Sequence, residues 1–214
     1  CESERVEIVV NVNAAATHIN FDGVNDYVSV GNIIPNASSY TKEAWVYMTS
    51  NTIGRNIFSS QNNPFWISNG ILSAGNNGNY AVVQDPTAIP INTWIHVAVT
   101  YDAATTTMKL YKNGILVATN TTAPAFVAET NFIGSHNGTT SFFQGNLDEV
   151  RIWNYALNQA DIQNTMNCEA QAQPELVAYY KFNQGFNNTN NTAITTLIDE
   201  TGAYNGTLTN FALT

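Results

Sequence analysis

Two short acidic segments carry the side chains best suited to hold a cation. Residues 21–26 place the carboxylates of Asp22 and Asp26 and flexible backbone carbonyls in one tight turn. Strict alternation along 146–153 predicts that Asp148 shares a face with Val150 and Ile152. A carboxylate at the rim of the core needs a partner, and calcium takes six to eight oxygen ligands. The alternative is that Asp22 and Asp26 are ordinary turn residues.

Aromatic residues beside amide-rich turns are the side chains best suited to bind a sugar. Trp66 lies in an Asn-rich stretch, 62–70, and Tyr80 follows a similar one, 76–79. An aromatic face covers a sugar ring while neighbouring amides bond its hydroxyls. Trp66 and Tyr80 are therefore the predicted ligand contacts, against the alternative that each belongs to the core or its rim. The remaining tryptophans lie inside strand patterns and are predicted to be core residues: Trp45, Trp94 and Trp153.

The spacing that glycoside hydrolysis requires is missing. A jelly-roll glucanase needs two carboxylates on one strand face. Asp148 and Glu149 are adjacent, so strict alternation predicts that they point to opposite faces. The three histidines, His18, His96 and His136, are isolated, and no metalloprotease or serine-hydrolase pattern occurs. A binding module is favoured over an enzyme, although catalytic residues can also converge from distant positions.

Strands must position these residues, because period-2 alternation dominates the chain. In 94–101, Ile95, Val97, Val99 and Tyr101 share one face. Asn113-Gly114 joins two apolar runs and supplies the positive-φ pair of a type I′ hairpin. Turn residues separate the other strand candidates at short intervals, which is typical of a sandwich or barrel. These are 18–22, 26–30, 43–48, 55–59, 65–68, 80–83, 130–133, 146–153, 176–182 and 206–211.

One short helix is predicted at 158–166. Asn158 is a favourable N-cap residue. Leu157, just before it, is predicted to pack on Ile162 as a hydrophobic staple. Ile162 and Met166 are four residues apart and share a helical face.

Four segments, in order, resemble the laminin-G-like jelly roll of bacterial secreted proteins, which is related to concanavalin-A-type lectins and pentraxins. The resemblance implies an all-β fold, a two-sheet antiparallel jelly-roll sandwich with one short helix. Related jelly rolls often hold a structural calcium between the N-terminal turn and a strand near the C-terminus of the unit. Here that implies Asp22, Gly23, Asp26 and Asp148 as ligands. The four segments are 19–28, 42–46, 94–102 and 143–154.

The ends of the chain differ from its middle. Residues 176–183 and 199–202 are similar to the segment that normally opens such a domain, yet here they follow it. We therefore expect a single jelly roll over 17–214 that its C-terminal strands complete, rather than the start of a second copy, which would leave an exposed edge. Residues 1–16 are expected to be a strand or linker from a preceding domain, or else an edge strand of this one.

Charge and cysteine content limit the partners. The net charge of −9 argues against nucleic acid and anionic membranes as partners, and no apolar run is long enough for membrane insertion. Cys1 and Cys168 are compatible with one disulfide in an oxidising compartment or with two free thiols, and both stay open.

The resemblance implies a secreted or cell-surface location, a glycan or cell-surface polysaccharide as partner, and neighbouring domains in a longer protein. An adhesive or purely architectural role and, less favoured, a jelly-roll hydrolase are the alternatives.

Overall fold

A computed structural model describes residues 18–51, 54–186 and 190–212. Its first strands are β1 (Ile19–Asp22), β2 (Tyr27–Gly31), β3 (Tyr40–Met48), β4 (Arg55–Asn56), β5 (Phe58–Ser59), β6 (Phe65–Ser68), β7 (Ile71–Asn76) and β8 (Asn79–Gln84). There follow β9 (Trp94–Asp102), β10 (Thr107–Lys112), β11 (Ile115–Asn120), β12 (Asn131–Ile133), β13 (Gln144–Trp153), the helix α1 (Gln159–Thr165), β14 (Leu176–Tyr180), β15 (Thr196–Leu197) and β16 (Gly206–Thr209).

One layer of the fold is a seven-stranded antiparallel sheet in the order β1-β13-β3-β9-β10-β11, with β14 also paired to β13. The long strand β13 has two neighbours on one side. Its first half pairs with β1, from Gln144 to Leu147, and its second half pairs with β14, from Val150 to Trp153. The N-terminal and C-terminal parts of the described chain therefore share one edge of β13.

The second layer consists of two smaller sheets, ordered β15-β16-β2-β12-β5 and β4-β6-β7-β8. They meet at Ile57, whose N–H donates to the Phe65 carbonyl and whose carbonyl accepts from Gly134. One buried apolar cluster contains residues of both layers, such as Val97 and Leu72. The predicted all-β jelly-roll sandwich is confirmed, with its second layer divided in two.

Local sequence signals position several elements as expected. Asn113 and Gly114 have φ angles of 49° and 70°, as a type I′ hairpin turn requires. The apolar face of β9 is buried in the core, and the opposite face, with His96, is covered as well. β9 is therefore a central strand buried on both sides.

The helix α1 lies against the outer face of the seven-stranded sheet. Asn158 caps it, because its side chain accepts from the Asp161 N–H while the Asp161 carboxylate accepts from the Asn158 N–H. Leu157 and Ile162 lie in one buried cluster with Trp153. Both the helix and its staple are confirmed.

Strand β7 is absent from the strands predicted by alternation. It contains Gly75, and a Cβ at that position would lie 1.7 Å from the Asn79 carbonyl oxygen. A glycine that lets two backbones approach closely weakens the apolar pattern from which a strand is recognised. The close approach therefore hides this strand in the sequence.

The C-terminal segment is hydrogen-bonded to both layers, since β14 pairs with β13 and β16 pairs with β2. The buried carboxylate of Asp199 accepts hydrogen bonds from the N–H groups of Tyr179 and Tyr204. Residues 1–16, with Cys1, lie outside the described residues, so the linker assignment and the disulfide question stay predictions. The extent of the domain, 17–214, also stays a prediction.

Truncation after Met166 tests how far the fold depends on this segment. Removing β14 to β16 leaves one side of β13 and one side of β2 unpaired, and unpaired strand edges promote aggregation. We expect an aggregated product in size-exclusion chromatography, whereas the full chain melts cooperatively. A soluble truncated chain with a cooperative thermal transition would contradict this dependence.

Candidate functional site

A groove of about 430 Å³ lies on the outer face of the seven-stranded sheet, and we name it the acidic groove. Asp148 on β13 and Trp45 on β3 are cross-strand partners. Trp94, on the neighbouring strand β9, also lines the groove. The segment that follows α1 forms the remaining wall. The lining residues are Trp45, Trp94, Asp148, Glu149, Arg151, Met166, Asn167, Cys168 and Glu169.

A β-bulge creates the acidic wall of this groove. Asp148 pairs with Trp45 and Arg151 pairs with Glu43, so β13 has one residue more than β3 in this interval. Glu149 has a φ of 51°. Because of this extra residue, the prediction that Asp148 shares a face with Val150 is wrong. The prediction that Asp148 and Glu149 point to opposite faces is also wrong, since both line the groove.

Arg151 is buried beside the groove and ties its walls together. Its guanidinium donates to the Thr165 carbonyl at 2.9 Å and to the Cys168 carbonyl at 2.6 Å. It also pairs with the carboxylate of Glu149, which in addition accepts from the Tyr179 hydroxyl. Arg151 therefore fixes the segment after α1 relative to β13.

Glu43 lies beneath this arrangement and is buried. Its carboxylate accepts from the Trp153 indole N–H at 2.9 Å and lies 3.4 Å from His96 Nε2 and 3.7 Å from Arg151. Burial alone raises the pKa of Glu43, but the nearby His96 and Arg151, with the hydrogen bond from Trp153, together hold it below its usual range. Glu43 is therefore an ionised structural anchor beneath the groove.

Asp148 has a different environment. Burial, reinforced by the neighbouring Glu149 carboxylate, raises the pKa of Asp148 to about 7. Its Oδ1 accepts from the Glu149 N–H at 2.9 Å. Among the described residues no Lys, Arg or His forms an ion pair with it. Asp148 is thus a half-buried acid that changes charge near neutral pH.

The three tryptophans predicted to be core divide between the core and the groove. Trp153 is 1% exposed and buried beneath α1. Trp45 and Trp94 are only half-buried and line the acidic groove. For these two the prediction is wrong, because alternation places them on the outer face, which α1 covers only in part.

A second cleft, of about 210 Å³, lies on the other layer, and we name it the aromatic cleft. Phe65 and Ile67 point into the core, so Trp66 between them points outward. Its indole N–H donates to the Tyr80 carbonyl at 2.8 Å, and Tyr80 is 40% exposed. The structure thus brings the two predicted ligand contacts into one cleft. Its lining residues are Asn56, Pro64, Trp66, Tyr80, His136 and Ser141.

His136 is a residue of the aromatic cleft that sequence reasoning missed. Its ring packs edge-on against Tyr80, with centroids 5.4 Å apart. Burial lowers the pKa of His136, and the ring is hydrogen-bonded to the Gln61 backbone. Its Nε2 is buried without a partner among the described residues. A neutral ring that donates through one nitrogen leaves the other as an acceptor, which suits a ligand hydroxyl.

The predicted calcium ligands do not form one site. Asp22 pairs with Gln144, and Asp148 lies four residues further along β13, which is about 13 Å at the usual rise. The Gly23 carbonyl accepts from the Arg55 guanidinium at 3.3 Å, and a cation at that oxygen would meet a positive charge. In the described ranges no group of three or more His, Cys, Asp or Glu side chains could hold a metal ion.

The turn at 21–26 has some of the features of a cation site. Asp22 Oδ1 accepts from the N–H groups of Val24 at 2.7 Å and Asn25 at 3.1 Å, as in an Asx turn. Asp26 Oδ2 accepts from the Asp22 N–H, while Asp26 Oδ1 is buried and has no partner within the described residues. Burial and the Asp22 carboxylate raise the pKa of Asp26. Calcium at Asp22 and Asp26 stays a prediction, without Asp148.

The family of the chain follows from a family model that matches residues 22–163 and is described as the concanavalin A-like lectin/glucanases superfamily. This match covers well over half of the chain, so the chain belongs to that superfamily. The match includes Asp22 and Asp26 of the acidic turn at 21–26, the bulge of β13 and all residues of the aromatic cleft. Of the acidic groove it includes all lining residues except those after α1. No curated protein matches the sequence significantly.

Solved structures share the fold at low identity. A protein of Bacteroides ovatus proposed to bind carbohydrate has a TM-score of 0.75 and 24% identity, over 91% of this chain and 58% of that one. This chain thus spans little more than half of that relative. Domain 4 of an extracellular arabinanase from Geobacillus stearothermophilus, in complex with arabinotriose, has a TM-score of 0.56 and 22% identity, over 69% and 75% of the two chains. The CBM40 of a Ruminococcus gnavus sialidase, bound to sialyllactose, has a TM-score of 0.55 and 16% identity, over 70% and 96%.

Calcium binding at the acidic turn is tested by thermal melting with calcium and with chelator. A ligand bound only to the folded state raises the melting temperature. We expect calcium to raise it, Asp26→Asn to abolish the response, and Asp148→Asn to leave the response intact. An identical melting temperature with calcium and with chelator would show that the turn binds no calcium.

Ionisation of Asp148 is expected to lower the free energy of unfolding as the pH rises. Its pKa is about 7 in the folded protein against 3.8 for the free side chain, so the unfolded chain loses this proton first and stability falls between these values. Asp148→Asn removes the charge. The variant should melt a few degrees above the wild type at about pH 8 and close to it at about pH 4.5. An equal difference at both pH values would contradict the raised pKa.

Proposed function

We propose that the chain is a non-catalytic carbohydrate-binding module of a larger extracellular protein, and that its sugar site is the aromatic cleft. The observation that carries the proposal is the meeting of Trp66, Tyr80 and His136 in one cleft on the outer face of the second layer. An adhesive role in the parent protein would follow from the same binding.

The chemistry of the cleft suits a neutral sugar. The Tyr80 ring is exposed and available to cover the apolar face of a pyranose. Ser141 and the unpartnered Nε2 of His136 supply a hydroxyl and an acceptor at its edge. No described carboxylate lines this cleft, which favours a neutral glycan over a cationic one.

The size of the cleft predicts modest affinity. A volume of about 210 Å³ is below the range of roughly 300–1,000 Å³ typical of small-molecule pockets. Such a site holds about one sugar ring and buries little area. Strong attachment to a polysaccharide then depends on several copies or domains acting together.

The known relatives support this class of function. The arabinanase domain and the sialidase CBM40 are each described in complex with an oligosaccharide. At this low identity the likeness supports the same fold but does not identify the ligand, so the particular glycan is left open. The extracellular assignment rests on the arabinanase, which is described as extracellular. In the described residues no helix is long and apolar enough to cross a membrane.

The state of Glu149 supports the absence of glycosidase activity. Asp148 and Glu149 lie together in the acidic groove, and a retaining mechanism would need one of them as a free nucleophile. Glu149 accepts hydrogen bonds from Arg151 and from the Tyr179 hydroxyl. This engagement stabilises a structural carboxylate and lowers its nucleophilicity.

Sugar binding in the aromatic cleft is tested with Tyr80→Ala and Trp66→Ala on a glycan array, followed by calorimetry with the best ligand. Loss of ring stacking should weaken binding about fivefold or more, since a stacked aromatic contributes roughly 1 kcal/mol or above. Tyr155→Ala is the matched control, because Tyr155 is similarly exposed at 36% but packs on Trp153.

Three outcomes would contradict the assignment. Unchanged affinity in both cleft variants would place the sugar elsewhere. A loss of several degrees in the melting temperature of Trp66→Ala would make Trp66 a structural residue. Turnover of a polysaccharide by homogeneous protein would overturn the non-catalytic assignment.

A further inference from the structure

The acidic groove has the composition of a cation site and lies apart from the proposed sugar site. It lies on the outer face of the seven-stranded sheet, whereas the aromatic cleft lies on the outer face of the second layer. One small ligand cannot fill both. What the groove binds is therefore a separate question that does not depend on the proposed function.

The charges that line the groove leave one carboxylate without a counter-ion. Glu149 is paired with Arg151, and Glu169 is paired with Lys181 at 2.8 Å. Asp148 has no such partner among the described residues, and the guanidinium of Arg151 is engaged by Glu149 and by the carbonyls of Thr165 and Cys168. The groove therefore offers a carboxylate without an ion-pair partner, which carries a negative charge when the pH is above its pKa of about 7.

Two indoles flank that charge. Trp45 is the cross-strand partner of Asp148, and its indole N–H is engaged by the Met166 carbonyl at 2.8 Å. Trp94, half-buried, forms the far wall. An ammonium ion is attracted both to an indole face and to a carboxylate, and tryptophan is the best ring for this contact. A hydrated metal ion would use the carboxylate but gain little from the indoles.

The groove is large enough for a small organic molecule. Its volume of about 430 Å³ falls within the range of roughly 300–1,000 Å³ found for ligand pockets. Its wall is tied to the sheet, because Arg151 hydrogen-bonds the carbonyls of Thr165 and Cys168 from β13. A preformed site loses little conformational entropy on binding.

We propose that the acidic groove binds an organic ammonium ion, with Asp148 as its counter-ion and Trp45 and Trp94 as its aromatic walls. The ammonium replaces the proton that Asp148 otherwise retains, so binding is tightest where Asp148 is ionised. Of the other groups lining the groove, Glu149 and Glu169 carry charges of the same sign, Arg151 is already engaged, and Cys168 lies on the segment after α1. Two histidines pack edge-on against its aromatic walls, His96 on Trp45 and His18 on Trp94.

The experiment compares benzylammonium with benzyl alcohol, which have nearly the same shape and differ in charge. Binding to the full chain is measured by calorimetry at about pH 8 and about pH 5.5. We expect benzylammonium to bind at the higher pH and to lose about fivefold or more in affinity at the lower one, because Asp148 becomes protonated. Benzyl alcohol should bind at least about fivefold more weakly at the higher pH, with no pH dependence.

Variants assign the binding to the groove. Asp148→Asn keeps the shape and removes the charge, so it should lower benzylammonium affinity to that of benzyl alcohol. Trp94→Leu should lower it in part and keep the pH dependence. Asp102→Asn is the matched control, since Asp102 lies at the far end of β9 from Trp94 and should leave both affinities unchanged.

Equal binding of the two probes, or full affinity in Asp148→Asn, would overturn the proposal. Displacement of benzylammonium by calcium at equal concentration would also overturn it, because the groove would then prefer a metal ion. Failure of the sugar-binding test in the aromatic cleft would leave these results unaffected, since the two sets of variants share no residue.

Discussion

The buried guanidinium of Arg151 is the interaction on which the outer face of the sheet depends. It connects β13 with Glu43 of β3, with Tyr179 of β14, and with two carbonyls at and just after the end of α1. Both terminal nitrogens of the guanidinium are engaged, although its Nε has no partner within the described residues, and an unpaired charge in the interior would be strongly destabilising. The segment after α1 is therefore fixed where its carbonyls meet these donors, and the wall of the acidic groove follows from that requirement.

Much of the framework could be predicted from local chemistry. Asn113-Gly114 specifies a turn with two positive φ angles, and few other dipeptides adopt it as readily. Asn158, with Asp161 three residues later, specifies a capped helix start. Alternation of apolar residues specifies the core face of β9. In each case the determining interactions lie within a few residues, so the sequence alone contains them.

The candidate sites were less predictable, because they depend on register and on distant partners. A single inserted residue at Asp148 and Glu149 breaks the alternation, so residues before the bulge cannot be assigned to a face by counting back from Val150 and Ile152. No local residue type marks the bulge, since Glu149 is not a glycine despite its positive φ. His136 lies in the aromatic cleft because its ring packs on Tyr80, which is 56 positions away in the sequence. Of the residues lining the aromatic cleft, only Trp66 and Tyr80 could be recognised from the sequence, because each lies beside an amide-rich turn.

The bulge affects the environment of Asp148, which was predicted to be a calcium ligand. If β13 alternated strictly back from Val150 and Ile152, Asp148 would lie on the core-side face, where a buried carboxylate needs a cation. With the bulge, Leu147 and Val150 both fill the core and Asp148 turns outward beside Glu149. The pairing of Asp22 with Gln144 separately keeps Asp148 four residues away from the turn at 21–26, and Asp148 instead lies with two indoles in a half-buried groove. One extra residue in a strand thus lets Asp148 and Glu149 line the same groove while Val150 and Ile152 stay in the core.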